Sequence, residues 1–328
     1  MKQAAFLLAS ISLLPARVLA GEAASPVFAA PGAASSMPAA PPSSRWMRGT
    51  DRRLGDFLRD ICPLMPAGGH RPGIPVRMLT LILLLLAAIA AGKHIHIDKP
   101  AGESLPRFQK ILYEAKQKKL MVQMGYMYRY NPAVVLLRQF LAQGWLGDVF
   151  EVHAVMSKVV DPPARRALAE YKGGMMFELG CHLIDLVVGV LGKPAQVFGM
   201  NQHAAKVDDG LLDNSMAVFS YPAAIASVKT AAMEVDGGER RHLVVCGTGG
   251  TFHIQPLDNP TAKITLAQER PGYKKGSQEI KFPKYARYGD DAADMARVIR
   301  GEKADSFGPA HDLAVQETIL KACGLPTG

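Results

Sequence analysis

Cysteine is scarce. There are four in 328 residues, Cys62, Cys181, Cys246 and Cys323, far apart and with no C-x-x-C pair. That excludes a disulfide scaffold and a zinc ribbon, and leaves buried free thiols as the expectation. Long hydrophobic runs are missing too. The longest, residues 78–91, is 14 residues and contains Thr80, whereas a membrane span needs about 20. It is expected to be a buried helix, and no membrane partner is expected. Charge of one sign is scarce over most of the chain. The formal charge is +9, yet residues 1–77 hold nine of the 38 Lys/Arg against four of the 29 Asp/Glu, so the remainder is nearly balanced. Its densest basic cluster, Lys116, Lys118 and Lys119, falls at the end of an expected helix, where cations complement the dipole. No nucleic-acid partner is expected. With 48% hydrophobic and 20% charged residues, a collagen-like or wholly disordered chain is excluded.

What is there changes character near residue 77. Ten of the 23 prolines lie in the first 76 residues, and up to Arg77 a single lysine stands against eight arginines. Residues 21–44 are Ala/Pro/Ser/Gly without periodicity, so disorder is expected there. Residues 1–20 resemble a secretory signal, with Lys2, an apolar segment and the small-residue end Val18-Leu19-Ala20, although Arg17 sits close to the cut. A cytoplasmic location is preferred, with a secreted or periplasmic one as the alternative that this start would imply. Three regions are expected: an atypical, disordered or signal-like segment 1–77, a remnant of a dinucleotide-binding domain 78–125, and an α+β domain 126–328.

Beyond Gly92 the pattern is regular. Residues 93–97 and 120–124 read as strands on either side of a helix with apolar positions Leu105, Phe108, Ile111, Leu112 and Ala115. That order suits a parallel α/β sheet. Asn131-Pro132 is a helix cap followed by proline in the first turn. Residues 174–190 read as an apolar helix ended by Gly192-Lys193-Pro194. Strand-like runs near 149–156, 195–201, 215–221, 225–233, 242–246, 251–255, 262–267 and 278–282 predict a largely antiparallel sheet, with helices near 290–300 and 311–323. Residues 242–251 imitate the start of a dinucleotide fingerprint, but Phe252 occupies the third glycine position, so a tight hairpin is expected.

Three groups of residues are candidates for chemistry. Lys99, between Asp98 and Pro100, stands at a strand end, outside which open α/β sheets bind ligands. Glu178 and His182 are four apart on the expected helix with Asp185 three further on, and polar groups on an apolar helix need partners. A metal site would need a third His or Cys at helical spacing, and none is present, so no metal is expected. Arg129, in Tyr126-Met127-Tyr128-Arg129-Tyr130-Asn131, could clamp an anion.

Asp98-Lys99-Pro100, the Tyr-Arg-Tyr-Asn-Pro segment and G-G-x(3)-E-x(3)-H-x-x-D occur in that order, and together they resemble the Gfo/Idh/MocA oxidoreductases from about Leu84 onward. The family's usual Glu-Lys-Pro is here Asp-Lys-Pro, and Glu178 replaces the usual aspartate. Gly247-Thr248-Gly249-Gly250 matches the family's strand-turn-strand segment. The resemblance implies a Rossmann-like α/β domain with an incomplete N-terminal half, followed by an α+β domain. It also implies hydride transfer between NAD or NADP and a sugar- or polyol-like substrate, in a homo-oligomer. By resemblance the catalytic residues are His182, the acid/base, Glu178, which orients or tunes it, and Lys99, which binds both the substrate oxygen and the nicotinamide ribose, with Asp98 and Pro100 beside it at the cofactor. Arg129, Asn131 and Asp185 line the substrate pocket. The alternative is a non-catalytic homologue that keeps the C-terminal domain for self-association or carbohydrate binding.

Residues 1–77 lack the strand, G-x-G-x-x-G and helix that would cradle a pyrophosphate. Gly68-Gly69-His70-Arg71-Pro72-Gly73 has the wrong spacing, and Pro72 would spoil the helix start. One expectation is that the reading frame upstream of about residue 82 is displaced, which translation of the other two frames would test.

Overall fold

The computed structural model describes residues 84–283, 285 and 289–328. The signal-like start, the Ala/Pro-rich stretch, Cys62 and the beginning of the apolar run lie outside the described residues. The rest of that run, 84–90, is helical and buries Leu85 and Ile89.

Strands β1 (Ile95–Ile97) and β2 (Val122–Met124) pair in parallel, Ile95 against Val122 and Ile97 against Met124. Both are shorter than expected. The Met121 amide bonds the His94 ring at 2.9 Å, so a side chain occupies the position where the ladder would otherwise extend. Between them α1 (Leu105–Gln117) buries the five apolar positions its spacing predicts, which makes the crossover a parallel pair requires. A 3₁₀ turn, Met127–Tyr130, leads into α2 (Pro132–Ala142), and the Asn131 side chain accepts from the amides of Ala133 and Val134 as an N-cap.

The remaining strands build one eight-stranded sheet. They are β3 (Val149–Val155), β4 (Gln196–Gln202), β5 (Asn214–Ser220), β6 (Ile225–Ala231), β7 (His242–Gly247), β8 (Gly250–Ile254), β9 (Thr261–Leu266) and β10 (Gly276–Lys281). Their spatial order is β10-β9-β8-β7-β3-β6-β5-β4, with every pairing antiparallel except β3 with β6. Alternation decides the faces. Ser215, Ala217 and Phe219 of β5 and Ala226, Val228 and Thr230 of β6 are buried, whereas Phe198 and Met200 on β4 and Ile225 are exposed on the opposite side. Gly247 pairs with Gly250, so the apparent fingerprint is a two-residue hairpin turn.

Helices α4 (Cys181–Leu191) and α6 (Pro309–Ala322) pack on one another, and α6 also lies on β4 and α1. The other helices are α3 (Pro162–Ala169), which sequence pattern did not reveal, and α5 (Gly289–Ile299). The expected helix 174–190 is unbroken, but it carries a π-helical turn, Met176–Gly180, directly before α4. Cys181, Cys246 and Cys323 are free thiols, Cys246 half-buried and the others buried. Among the described residues no helix is long and apolar enough to cross a membrane, and no cluster of His, Cys, Asp and Glu could hold a metal ion.

Candidate active site

Lys99 leaves the end of β1 through a cis Lys99–Pro100 peptide, and its amide is held by Asp98 Oδ1 at 2.9 Å. The segment it reaches is shaped by two glycines. Gly174 has φ of 50°, and a Cβ there would lie 2.6 Å from Leu212 Cβ. A Cβ on Gly173 would lie 2.7 Å from Cys323 Sγ and from Phe177 Cβ. Neither position accommodates a side chain without displacing a neighbour.

The π turn that follows is where the first two motifs meet. Lys99 Nζ donates to the Glu178 carbonyl at 2.8 Å and lies 3.2 Å from Glu178 Oε2. The same carbonyl accepts from Cys181 Sγ at 3.4 Å. Widened π turns recur at functional sites because they redirect backbone groups away from the regular ladder. Glu178 was expected to orient His182; the structure gives its carboxylate to Lys99. Burial alone would weaken the ammonium of Lys99. Cys181, Glu178 and Asp98 outweigh it and raise Lys99 above its ordinary value. Burial pushes the Cys181 thiol up to about 12, so it is uncharged near neutrality. Glu178 is therefore the close anion that keeps Lys99 a cation.

His182 sits in the first turn of α4, only 5% exposed. Tyr128 meets its ring edge-on at 5.2 Å between centroids, and Tyr126 does so at 6.1 Å. The Tyr128 hydroxyl donates to Asp258, which Arg241 Nη1 also holds at 2.6 Å. Arg241 Nε donates in turn to the Ser157 carbonyl at 3.3 Å. The imidazole is thus fixed by two rings, one of them tied into a charged network.

The three residues expected to line a substrate pocket are placed differently. Arg129 is 2% exposed. Its Nε lies 3.0 Å from both Asp185 oxygens, and its Nη2 lies 2.6 Å from Asp185 and 2.6 Å from Asp312. His311 Nε2 is 3.2 Å from Asp185 Oδ1. Asn131 is fully buried, capping α2 and donating to the Leu257 carbonyl at 2.7 Å. In place of an open clamp for an anion, Arg129 carries a sealed ion cluster beneath the site, because two carboxylates already fill its fork. Burial would raise Asp185, but Arg129 and His311 hold it below the usual carboxylate range. Burial dominates at Asp312 and pushes it up to about 6 despite Arg129.

Lys99, Glu178 and His182 are therefore brought to one helix start, whereas Arg129, Asn131 and Asp185 are closed off behind it. Sequence reasoning missed Arg241, Asp258 and Asp312, none of which belongs to a motif.

Set beside solved structures, this mostly antiparallel architecture is similar in fold to those of several oxidoreductases. Levoglucosan dehydrogenase, solved with NADH and levoglucosan, superposes with a TM-score of 0.63 over 74% of this chain and 75% of its own, at 17% identity. An NAD binding oxidoreductase from Klebsiella pneumoniae gives 0.63 over 73% of both chains at 16% identity. Both show likeness of fold. Residues 134–253 match the GFO/IDH/MocA C-terminal domain, and over that segment the chain is similar to the Gfo/Idh/MocA oxidoreductases. The trans-1,2-dihydrobenzene-1,2-diol dehydrogenase of Bos taurus is 26% identical over 190 residues, 57% of this chain and 55% of the relative. That of Macaca fascicularis is 30% identical over 128 residues, 38% of each. The chain thus spans about half the length, or less, of these curated relatives.

Proposed function

We propose that this chain transfers hydride between NAD or NADP and a secondary alcohol of a sugar- or polyol-like substrate. The observation that carries this is the docking of Lys99 Nζ on the Glu178 carbonyl, one turn before His182. Two groups that must meet one substrate oxygen come from the end of a strand and the start of a helix.

The donor set fits the reacting end of such a cofactor. Lys99 with the Asp98–Pro100 strand end would hold the nicotinamide ribose, and no residue for the pyrophosphate is assigned among those described. When bound, the nicotinamide supplies the hydride acceptor. Residues 84–125 then form the closing part of an incomplete Rossmann-like half. The roles of the side chains follow from charge. Lys99 is held protonated beside Glu178, so it cannot take a proton; it faces the oxygen and stabilises the negative charge that develops there. His182 takes the hydroxyl proton and returns it in the reverse direction. Tyr126 and Tyr128 keep its ring plane fixed. Self-association through the exposed β4 face with Phe198 and Met200 is part of the same reading.

His182→Ala and Lys99→Met should each lower kcat/KM by about 10²–10⁴-fold. A change of only a few fold would remove the assignment. Nicotinamide fluorescence should show saturable NADH or NADPH binding below about 100 μM, an outcome that excludes a non-catalytic homologue.

A further inference from the structure

Among the described residues, Lys158 is a cation of this region without a side-chain partner. Lys158 follows β3 directly, its amide bonded to the Ala231 carbonyl at 3.1 Å, and it is half-buried. Its strand neighbour Ala231 follows Thr230, whose methyl lies against Gly180 at the end of the π turn that carries Glu178. Arg241 grips the carbonyl of the preceding Ser157 and holds Asp258, to which Tyr128 donates, and Tyr128 is the ring against His182. The charges that act on Lys158 are those of Glu178, Lys99, Arg241 and Asp161.

Each of those charges is already engaged. Glu178 is paired with Lys99, and Asp258 with Arg241. Asp161 caps α3 by accepting from the Ala164 amide at 2.8 Å. Among the described residues Lys158 makes neither an ion pair nor a side-chain hydrogen bond. Burial lowers its ammonium below the ordinary value, reinforced by Lys99 and Arg241 and only partly opposed by Glu178 and Asp161. A half-buried, like-charged and unpaired ammonium is costly to keep. An incoming negative group would relieve that cost.

We propose that Lys158 is a specificity-determining residue that receives an anionic substituent, a carboxylate or a phosphate, on the polyol whose reacting hydroxyl meets Lys99 and His182. The inference rests on the proposed dehydrogenase reading for the position of that hydroxyl. The preferred substrates are therefore acidic carbohydrates such as aldonates or polyol phosphates rather than neutral sugars.

The test uses the full-length protein without cofactor, so that it reads binding and not turnover. D-glucitol, D-gluconate and D-glucitol 6-phosphate are titrated by calorimetry against wild type, Lys158→Gln and Lys158→Arg. At least one anion should bind wild type about tenfold or more tightly than D-glucitol, as a charge-assisted hydrogen bond would give. The gap should close to within about twofold in Lys158→Gln and reopen in Lys158→Arg. Which anion shows the larger gap separates carboxylate from phosphate. A gap that survives Lys158→Gln, or one absent from wild type, overturns the inference. An anion preference that depends on Lys158 in a protein with no nicotinamide-linked turnover would instead count against the dehydrogenase reading alone.

Discussion

Two cation–carboxylate clusters flank the start of α4, and they differ in access to water. Lys99 and Glu178 are 13% and 30% exposed in their side chains, whereas Arg129, Asp185 and Asp312 are at 2%, 1% and 1%. The open pair can exchange partners with a ligand at little cost, because water and substrate compete for the same donors. The closed cluster cannot, since removing one member strands the rest in a low-dielectric interior. Similar charges thus meet solvent at one end of a helix turn and are sealed from it at the other.

The largest effect should come from breaking the closed cluster. Arg129→Met leaves Asp185 and Asp312 buried without their cation, and should cost about 3–5 kcal/mol of stability in chemical denaturation. Loss below about 1 kcal/mol would show that the two clusters do not differ as described. The open pair should behave in the opposite way. Glu178→Gln removes the charge that holds Lys99, while the backbone carbonyl of residue 178 keeps one hydrogen bond. We expect kcat/KM to fall by about tenfold with stability changed by less than about 1 kcal/mol.

The smallest effect concerns pH and separates the two carboxylates that share Arg129. Asp312 holds its proton more tightly folded than unfolded, being pushed up to about 6. The stability it contributes is fully present below its unfolded value, and falls as pH rises from about 4 through 6. Asp185 has the opposite sign: held below its ordinary value, it contributes stability at neutral pH that is lost only as pH falls through its folded value. Subtracting the stability curve of Asp312→Asn from that of wild type should leave a term of order 1 kcal/mol that declines between about pH 4 and 6. A flat difference would mean that burial does not raise Asp312 in the folded protein.

Much of this was legible beforehand. The α1 spacing, the Asn131 cap, the Gly247–Gly250 turn and the succession of strands all appear where pattern placed them, to within a few residues. The misses have physical causes. The π turn at Met176–Gly180 is hidden because a widened turn shares the apolar composition of an ordinary helix. α3 was overlooked because Pro162-Pro163 reads as a breaker, although proline is well tolerated in a first helical turn.

What the sequence determined by itself is local: periodicity, caps, turns and the motifs that put Lys99, Glu178 and His182 at element ends. What only the tertiary structure decided is which charge answers which. Lys99 finds Glu178 79 residues away, while Arg129 finds Asp185 at 56 and Asp312 at 183. Chain order carries no record of such distances, and the burial that turns an arginine from ligand clamp into scaffold exists only once the helices and sheet have closed around it.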